Sequence, residues 1–358
     1  LPKVIVKRMA ALLLLALAVF LTGCGARQSV YSWPGLSVAD NTVYVAVGDK
    51  VYALEAETGA QRWAFLPEED EEKKNSLFYA TPAFGGDLVF IGSWDNSLYA
   101  VDEATGSQKW VFSTQGPIVA SPAVSEGMVY IGSGDGRVYA LEAASGTKRW
   151  EFATGSWVWA TPLVVSDSVY VSSMDHKVYC LEAESGQKKW EFKAGGAVAG
   201  GVTVGGDVLY FGAFDSKVYA LEAATGQKRW EFQMGNWIWG QPLLAEDTLY
   251  VGSLDHKIYA FDATNGEKRW EFAADSAVRA SPVLADSVLY IGSEAGQLYA
   301  LDAATGQKKW AFSTEKGILT PPAITHDRIY VVSLDGQVQA LDPGSGTSLW
   351  TFSPGEQK

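Results

Sequence analysis

The sequence predicts an all-β protein: an eight-bladed β-propeller of four-stranded antiparallel blades. Three observations carry this. A tryptophan recurs at Trp63, Trp110, Trp150, Trp190, Trp230, Trp270, Trp310 and Trp350, with one interval of 47 residues followed by six of 40. Each interval holds short β-rich runs separated by Gly, Asp and Ser clusters, with no helical period. A unit of about forty residues is the length of a propeller blade. Ring closure also removes the sheet edges that an open solenoid has to cap.

The first 23 residues belong to none of these units. Lys3, Lys7 and Arg8 precede an apolar run from Ala10 to Leu21. That run is shorter than the roughly 20 apolar residues a membrane span needs, and the pattern is that of a secretory leader. The sequence starts at Leu1, so its true start is open; Met9 is a poorer start because it discards all three basic residues. The leader ends in Leu21-Thr22-Gly23-Cys24, which resembles the lipobox of bacterial lipoproteins. The resemblance implies cleavage before Cys24 and lipidation of its thiol, and each buried methylene of an acyl chain contributes about 0.8 kcal/mol of anchoring. The expected organisation is therefore a leader at 1–23, a short tether at 24–30, the propeller at 31–353 and a tail at 354–358. The other cysteine, Cys180, stands where sister units have Ala, and is read as a small buried filler.

Within the propeller, residues 117–152 show the unit most clearly. An apolar first strand around 117–124 leads to runs at 128–132, 137–143 and 147–152. The turn Ser133-Gly134-Asp135-Gly136 supplies the positive φ of a tight hairpin, and Ser145-Gly146 does the same before the fourth run. The first strand of blade one aligns near 31–39, and blade eight ends at Trp350 to Phe352, so eight whole blades are expected without strand exchange. A short strand around 28–31 pairing with the last blade is the open alternative. The single long interval has a visible source: an acidic insertion, Glu68 to Lys74, that reads as an exposed loop.

The eight tryptophans each close an eleven-residue pattern such as Ala140-Leu141-Glu142-Ala143-Ala144-Ser145-Gly146-Thr147-Lys148-Arg149-Trp150. A glycine turn brings the small Ala opposite the large planar Trp, and the tryptophans are expected to dock between blades. The pattern closely resembles the tryptophan-docking motif of propellers with pyrroloquinoline-quinone-type repeats. All eight units match, with Cys180 replacing Ala and Glu often replacing Asp, as at Glu142. The resemblance implies the propeller fold over about 31–353.

That family includes quinone-dependent dehydrogenases, whose cofactor sites carry adjacent cysteines and a Glu/Asn/Asp calcium set; this sequence has no cysteine pair. Its three histidines, His176, His256 and His326, fall in turn positions. Asp49, Asp95, Asp135, Asp175, Asp215, Asp255 and Asp335 recur in the second hairpin, where Asp serves turns by bonding its own backbone. No cofactor, no metal site and no catalytic set is expected. The formal net charge is −13, and loss of the leader's three basic residues makes the mature chain more negative still. A field of that sign argues against nucleic acid and anionic lipid as partners.

Positions that break the repeat are the candidates for function. Five and three residues before the proline of each first strand, counting Leu36 as the proline place in blade one, stand Tyr31 and Trp33, Leu77 and Tyr79, Pro117 and Val119, Trp157 and Trp159, Ala197 and Ala199, Trp237 and Trp239, Ala277 and Arg279, and Gly317 and Leu319. Alternate residues share a side of a strand, and first strands line a propeller's channel. Tyr31, Trp33, Tyr79, Trp157, Trp159, Trp237, Trp239 and Arg279 thus make a candidate binding surface at the channel mouth, with Arg279 for an anion. The other reading is that these rings plug a wide channel.

Two function classes follow. The sequence looks like the periplasmic propeller lipoproteins that help insert β-barrel proteins into the outer membrane. This implies a non-catalytic, monomeric scaffold, lipid-anchored outside the cytoplasmic membrane, with a protein or peptide partner in the envelope. Gly25 follows the lipidated cysteine where an Asp would suggest inner-membrane retention; in a cell with one membrane only a generic surface-binding lipoprotein remains. The alternative is a propeller that binds a quinone or small ligand, related to the dehydrogenases.

Overall fold

The computed structural model describes residues 33–67 and 76–355. They form thirty-two strands in eight four-stranded antiparallel sheets, each built from four strands consecutive in sequence. Blade three is typical, with strands Ala123–Ser125, Met128–Gly132, Arg137–Glu142 and Lys148–Ala153. Its second and third strands are apolar on both faces because each face meets a neighbouring blade. Val129, Ile131, Tyr139 and Leu141 pack with Phe90, Leu98 and Ala100 of blade two. The alternate residues Tyr130, Val138 and Ala140 pack with Val169, Val171, Tyr179 and Leu181 of blade four. Burying one such side chain contributes roughly 1.5–3 kcal/mol, so every blade depends on both neighbours.

The recurrent tryptophan has a seat in the next blade. Ala140 pairs across the third and fourth strands with Trp150, and a bulge follows between Ala140 and Leu141. The Trp150 indole lies against Gly186, where a Cβ would sit 2.6 Å from the ring, and Gly186 has φ +72°. Its Nε1–H donates to the Ala183 carbonyl at 2.9 Å. The same bond runs from Trp63 to Glu103, Trp110 to Ala143, Trp190 to Ala223, Trp230 to Ala263, Trp270 to Ala303 and Trp310 to Pro343. The glycine of the eleven-residue pattern therefore serves two blades: it turns its own chain and makes room for its neighbour's tryptophan.

Closure uses that joint once more. Trp350 Nε1–H donates to the Ala56 carbonyl of blade one at 3.0 Å, and its ring lies against Gly59. Tyr330 donates to the same carbonyl at 3.1 Å. Leu36, Val43, Val45 and Leu54 share a core with Tyr330, Val332 and Val338. No strand is exchanged between the first and last described blades. The alternative strand around 28–31, Cys24, Tyr31 and the insertion at 68–74 lie outside the described residues.

The first strands differ from expectation. They span only three residues in blades two to seven and two in blade eight, instead of the longer run expected at 117–124. The segment before each is extended but stitched to two hairpins and not to a ladder. Ile118 N–H donates to Ser93 O of blade two, while Pro117 O accepts from Gly134 of its own blade. Proline at 117 and 122 also lacks the N–H a ladder needs.

Replacing Trp190 by Ala is expected to cost about 3 kcal/mol, the low end for a large aromatic because the ring is not fully buried. Chemical denaturation should show one cooperative transition at lower denaturant. Early melting confined to blades four and five would contradict the mutual support described.

Candidate functional site

The irregular positions are held by the segments that precede the short first strands. In blade four, Val158 points into the core between blades, while Trp157 and Trp159 flank it and stand on the other side. The rings of Trp157 and Trp159 touch, with centroids 5.7 Å apart. In blade six the arrangement is not a parallel pair: Phe214 of blade five sits stacked on Trp237 at 4.7 Å and 7°, and also touches Trp239 at 5.0 Å.

Across the channel, Trp33, Trp159 and Trp239 meet. They occupy the same place in blades one, four and six. Trp33 lies 6.0 Å from Trp159 and 5.6 Å from Trp239, and the latter two are 5.9 Å apart. Small residues make this possible. Ala199 of blade five, almost fully buried, leaves the gap through which the rings of blades four and six touch. Trp94 likewise reaches Trp157 at 6.2 Å past blade three, where Pro117 and Gly134 stand, and Tyr79 lies 5.4 Å from Trp94. The result is one continuous aromatic surface from blade two to blade six, plus Trp33. Its inner rings close on one another; Trp237 is 40% exposed and forms its open end.

Arg279 occupies the same place in blade seven as those three tryptophans. Its guanidinium lies 4.7 Å over the Trp239 ring and is paired with Glu294. The charge expected to meet an anionic ligand is thus already matched within its own blade, and an anion has to compete with Glu294.

Trp94, Phe214 and Glu294 escape the proline-based count. All three stand one residue before the hairpin aspartate place, in the series Trp94, Gly134, Met174, Phe214, Leu254, Glu294 and Leu334. That place is joined to the mouth by backbone bonds, Trp94 N–H to Leu77 O and Phe214 N–H to Ala197 O. Its departure from the repeat was readable in the sequence.

The hairpin carboxylates are engaged. Asp135 accepts from Arg137 N–H at 3.0 Å, from the Tyr139 hydroxyl at 2.7 Å and from Gln115 N–H at 3.0 Å. Asp175 and Asp255 repeat all three bonds with Lys177, Tyr179 and Gly155, and with Lys257, Tyr259 and Gly235. These three aspartates therefore tie their hairpins to the loops that enter their blades. His176 and His256 are exposed and occupy the left-handed hairpin position, at φ +73° and +69°. His326 is exposed in its turn. Among the described residues, no group of three or more His, Cys, Asp or Glu side chains converges on a place for a metal ion. Cys180 is buried and paired across strands with Trp190, in the place of Ala140.

A family model described as outer membrane protein assembly factor BamB matches residues 25–121, 113–197, 175–285 and 270–358. The chain belongs to this family. Among solved structures, BamB from Moraxella catarrhalis is 21% identical, covering 85% of this chain and 95% of its own, with a TM-score of 0.74. The computationally designed protein Ika8 is 17% identical with a TM-score of 0.78, covering 88% and 98%. Quinohemoprotein alcohol dehydrogenase ADHIIG from Pseudomonas putida HK5 is 16% identical with a TM-score of 0.68, covering 86% and 72%. At these identities the likeness is one of fold. Among curated proteins, none matches this sequence.

Burial, and then the bond to Asp135, Asp175 and Asp255, push the hydroxyls of Tyr139, Tyr179 and Tyr259 well above the ordinary 10.0. Because the folded value is raised, their contribution to stability is complete below about pH 10 and is lost as pH rises further. Spectrophotometric titration should show these tyrosines ionising only as the protein unfolds. Reversible ionisation of every tyrosine near pH 10 in a folded protein would contradict the Asp–Tyr joints.

Proposed function

We propose that this BamB-family chain is a non-catalytic scaffold of the cell envelope, lipid-anchored through Cys24, that serves the assembly of outer-membrane β-barrel proteins. The observation that carries the reading is the family match, which runs from residue 25 to residue 358 in overlapping stretches. The lipobox-like Leu21 to Cys24 supports the anchor, and removal of the leader would leave a tether at 24–30 before the propeller. In a cell with a single membrane the same chain is a surface-binding lipoprotein.

The partner surface we assign is the aromatic mouth. Rings concentrated at one end of the channel are a feature of recognition patches, and the neutralised Arg279 leaves the surface without net charge. It therefore suits an uncharged, extended, apolar segment of a protein better than an anion. The quinone-binding alternative is supported by the likeness of fold alone. Quenching of tryptophan fluorescence by pyrroloquinoline quinone with calcium, saturating at micromolar concentration, would favour it.

Two experiments test the proposal. Cys24→Ser is expected to give a folded propeller that leaves membranes on a high-salt wash; equal retention of this variant would remove the lipoprotein reading. Trp157→Ala with Trp237→Ala is expected to weaken capture of envelope partners from detergent-solubilised membranes at least about tenfold, while the melting temperature falls only a few degrees. Unchanged capture with a much lower melting temperature would make these rings channel packing.

A further inference from the structure

The outer rim of the ring carries a second break in symmetry, independent of the mouth. The fourth strand of each blade is the sheet edge, and an edge strand presents unpaired N–H and C=O groups to any extended chain. In blades three to six that edge is guarded by a repeated charge clamp. Glu151 is held by Lys148 and Arg137, Glu191 by Lys188 and Lys177, Glu231 by Lys228 and Lys217, and Glu271 by Lys268 and Lys257. Inward- and outward-facing charge of this kind is how natural sheets keep other strands away.

Blade eight has lost the whole clamp, as has blade two, whose edge keeps Lys109 paired with Asp102. Ser348, Thr351 and Gln337 stand where blade three has Lys148, Glu151 and Arg137. Its edge, Ser348–Phe352, is the one fourth strand of the eight without a charged residue. Leu349 lies on it 51% exposed, the most exposed large hydrophobic among the described residues. Trp350 is docked on blade one and fixes the strand in place. The edge is thus fixed in place, uncharged, rich in strand-forming residues and bare.

We propose that the Ser348–Phe352 edge is a docking site for an extended β-strand of another protein, which adds to blade eight as a fifth strand. The exposed backbone groups specify an extended chain, since main-chain bonds provide the affinity in strand addition. Charge specifies the rest. The neighbouring edge of blade seven carries Lys308, and Lys309 paired with Asp302, which disfavours a basic strand, while the net charge of −13 disfavours an acidic one, so the incoming strand is uncharged. A second copy of this chain is disfavoured by a net charge of −13 on each.

The test is amide hydrogen exchange on the full chain, with a capped peptide of about eight alternating valine and threonine residues as probe. Exchange of the outward-facing amides of Ser348–Phe352, those not bonded to the third strand, should slow at least about tenfold with the peptide. It should not change with the same peptide N-methylated at every amide, and the fourth strands of blades three to six should not respond. The triple variant Q337K/S348K/T351E rebuilds the clamp that four sister blades already carry, so it should melt like wild type and lose the protection. Three results would each overturn the proposal: no protection at the blade-eight edge, equal protection of all eight edges, or protection that appears without peptide as protein concentration rises, which would make the edge a contact between copies.

Discussion

The structure depends on one joint, an indole pressed against a glycine of the next blade with its N–H bonded to a carbonyl of the same turn. At Trp110 the ring lies where a Cβ on Gly146 would be 2.7 Å away, and the bond to Ala143 is 3.1 Å. The glycine has a positive φ of its own, so both demands fall on one residue and only glycine meets them. Repeated eight times, the joint makes a ring in which no blade has a free apolar face. Closure then needs no exchanged strand, because Trp350 meets blade one as Trp310 meets blade eight.

A lattice this regular leaves particular places free to vary, and function is sought there. The ring-bearing mouth positions and the outward-facing residues of the outer edge, such as Leu349 and Thr351, take part in neither the indole joint nor the cores between blades. At the mouth, small residues in blades three and five let rings from blades two, four and six touch, so that irregular side chains build one continuous surface. On the rim, clamps of two cations on one glutamate cover four consecutive edges and stop. In both places the asymmetry runs across several blades, which a uniform packing requirement does not produce.

Much of this was legible in the sequence. The interval of Trp63 to Trp350 fixes blade number, and the Ala–Gly–Trp pattern anticipates the cross-strand pair and the turn. Three things were not legible, for physical reasons. The indole seat is in the following blade, some 36 residues on from Trp150 at Gly186, and no local pattern joins residues that far apart. The segments at the mouth read as strands because they alternate, yet their backbone groups bond to hairpins of two blades. Arg279 reads as a free cation, whereas Glu294 and the Trp239 ring hold it. Phe214 shows the general limit: its partner Trp237 belongs to the next blade, and only the ring geometry brings them to 4.7 Å.

The most direct measurement is a double-mutant cycle across the closure, using Trp350→Ala and Gly59→Ala in chemical denaturation. A Cβ on Gly59 would sit 2.6 Å from the Trp350 ring. If the indole seat holds the ring shut, Gly59→Ala destabilises the native tryptophan background by several kcal/mol, and in the Trp350→Ala background by only about 1 kcal/mol, the residual strain of its φ. Costs that simply add would show that ring and glycine do not meet, and would contradict the joint on which the fold has been built.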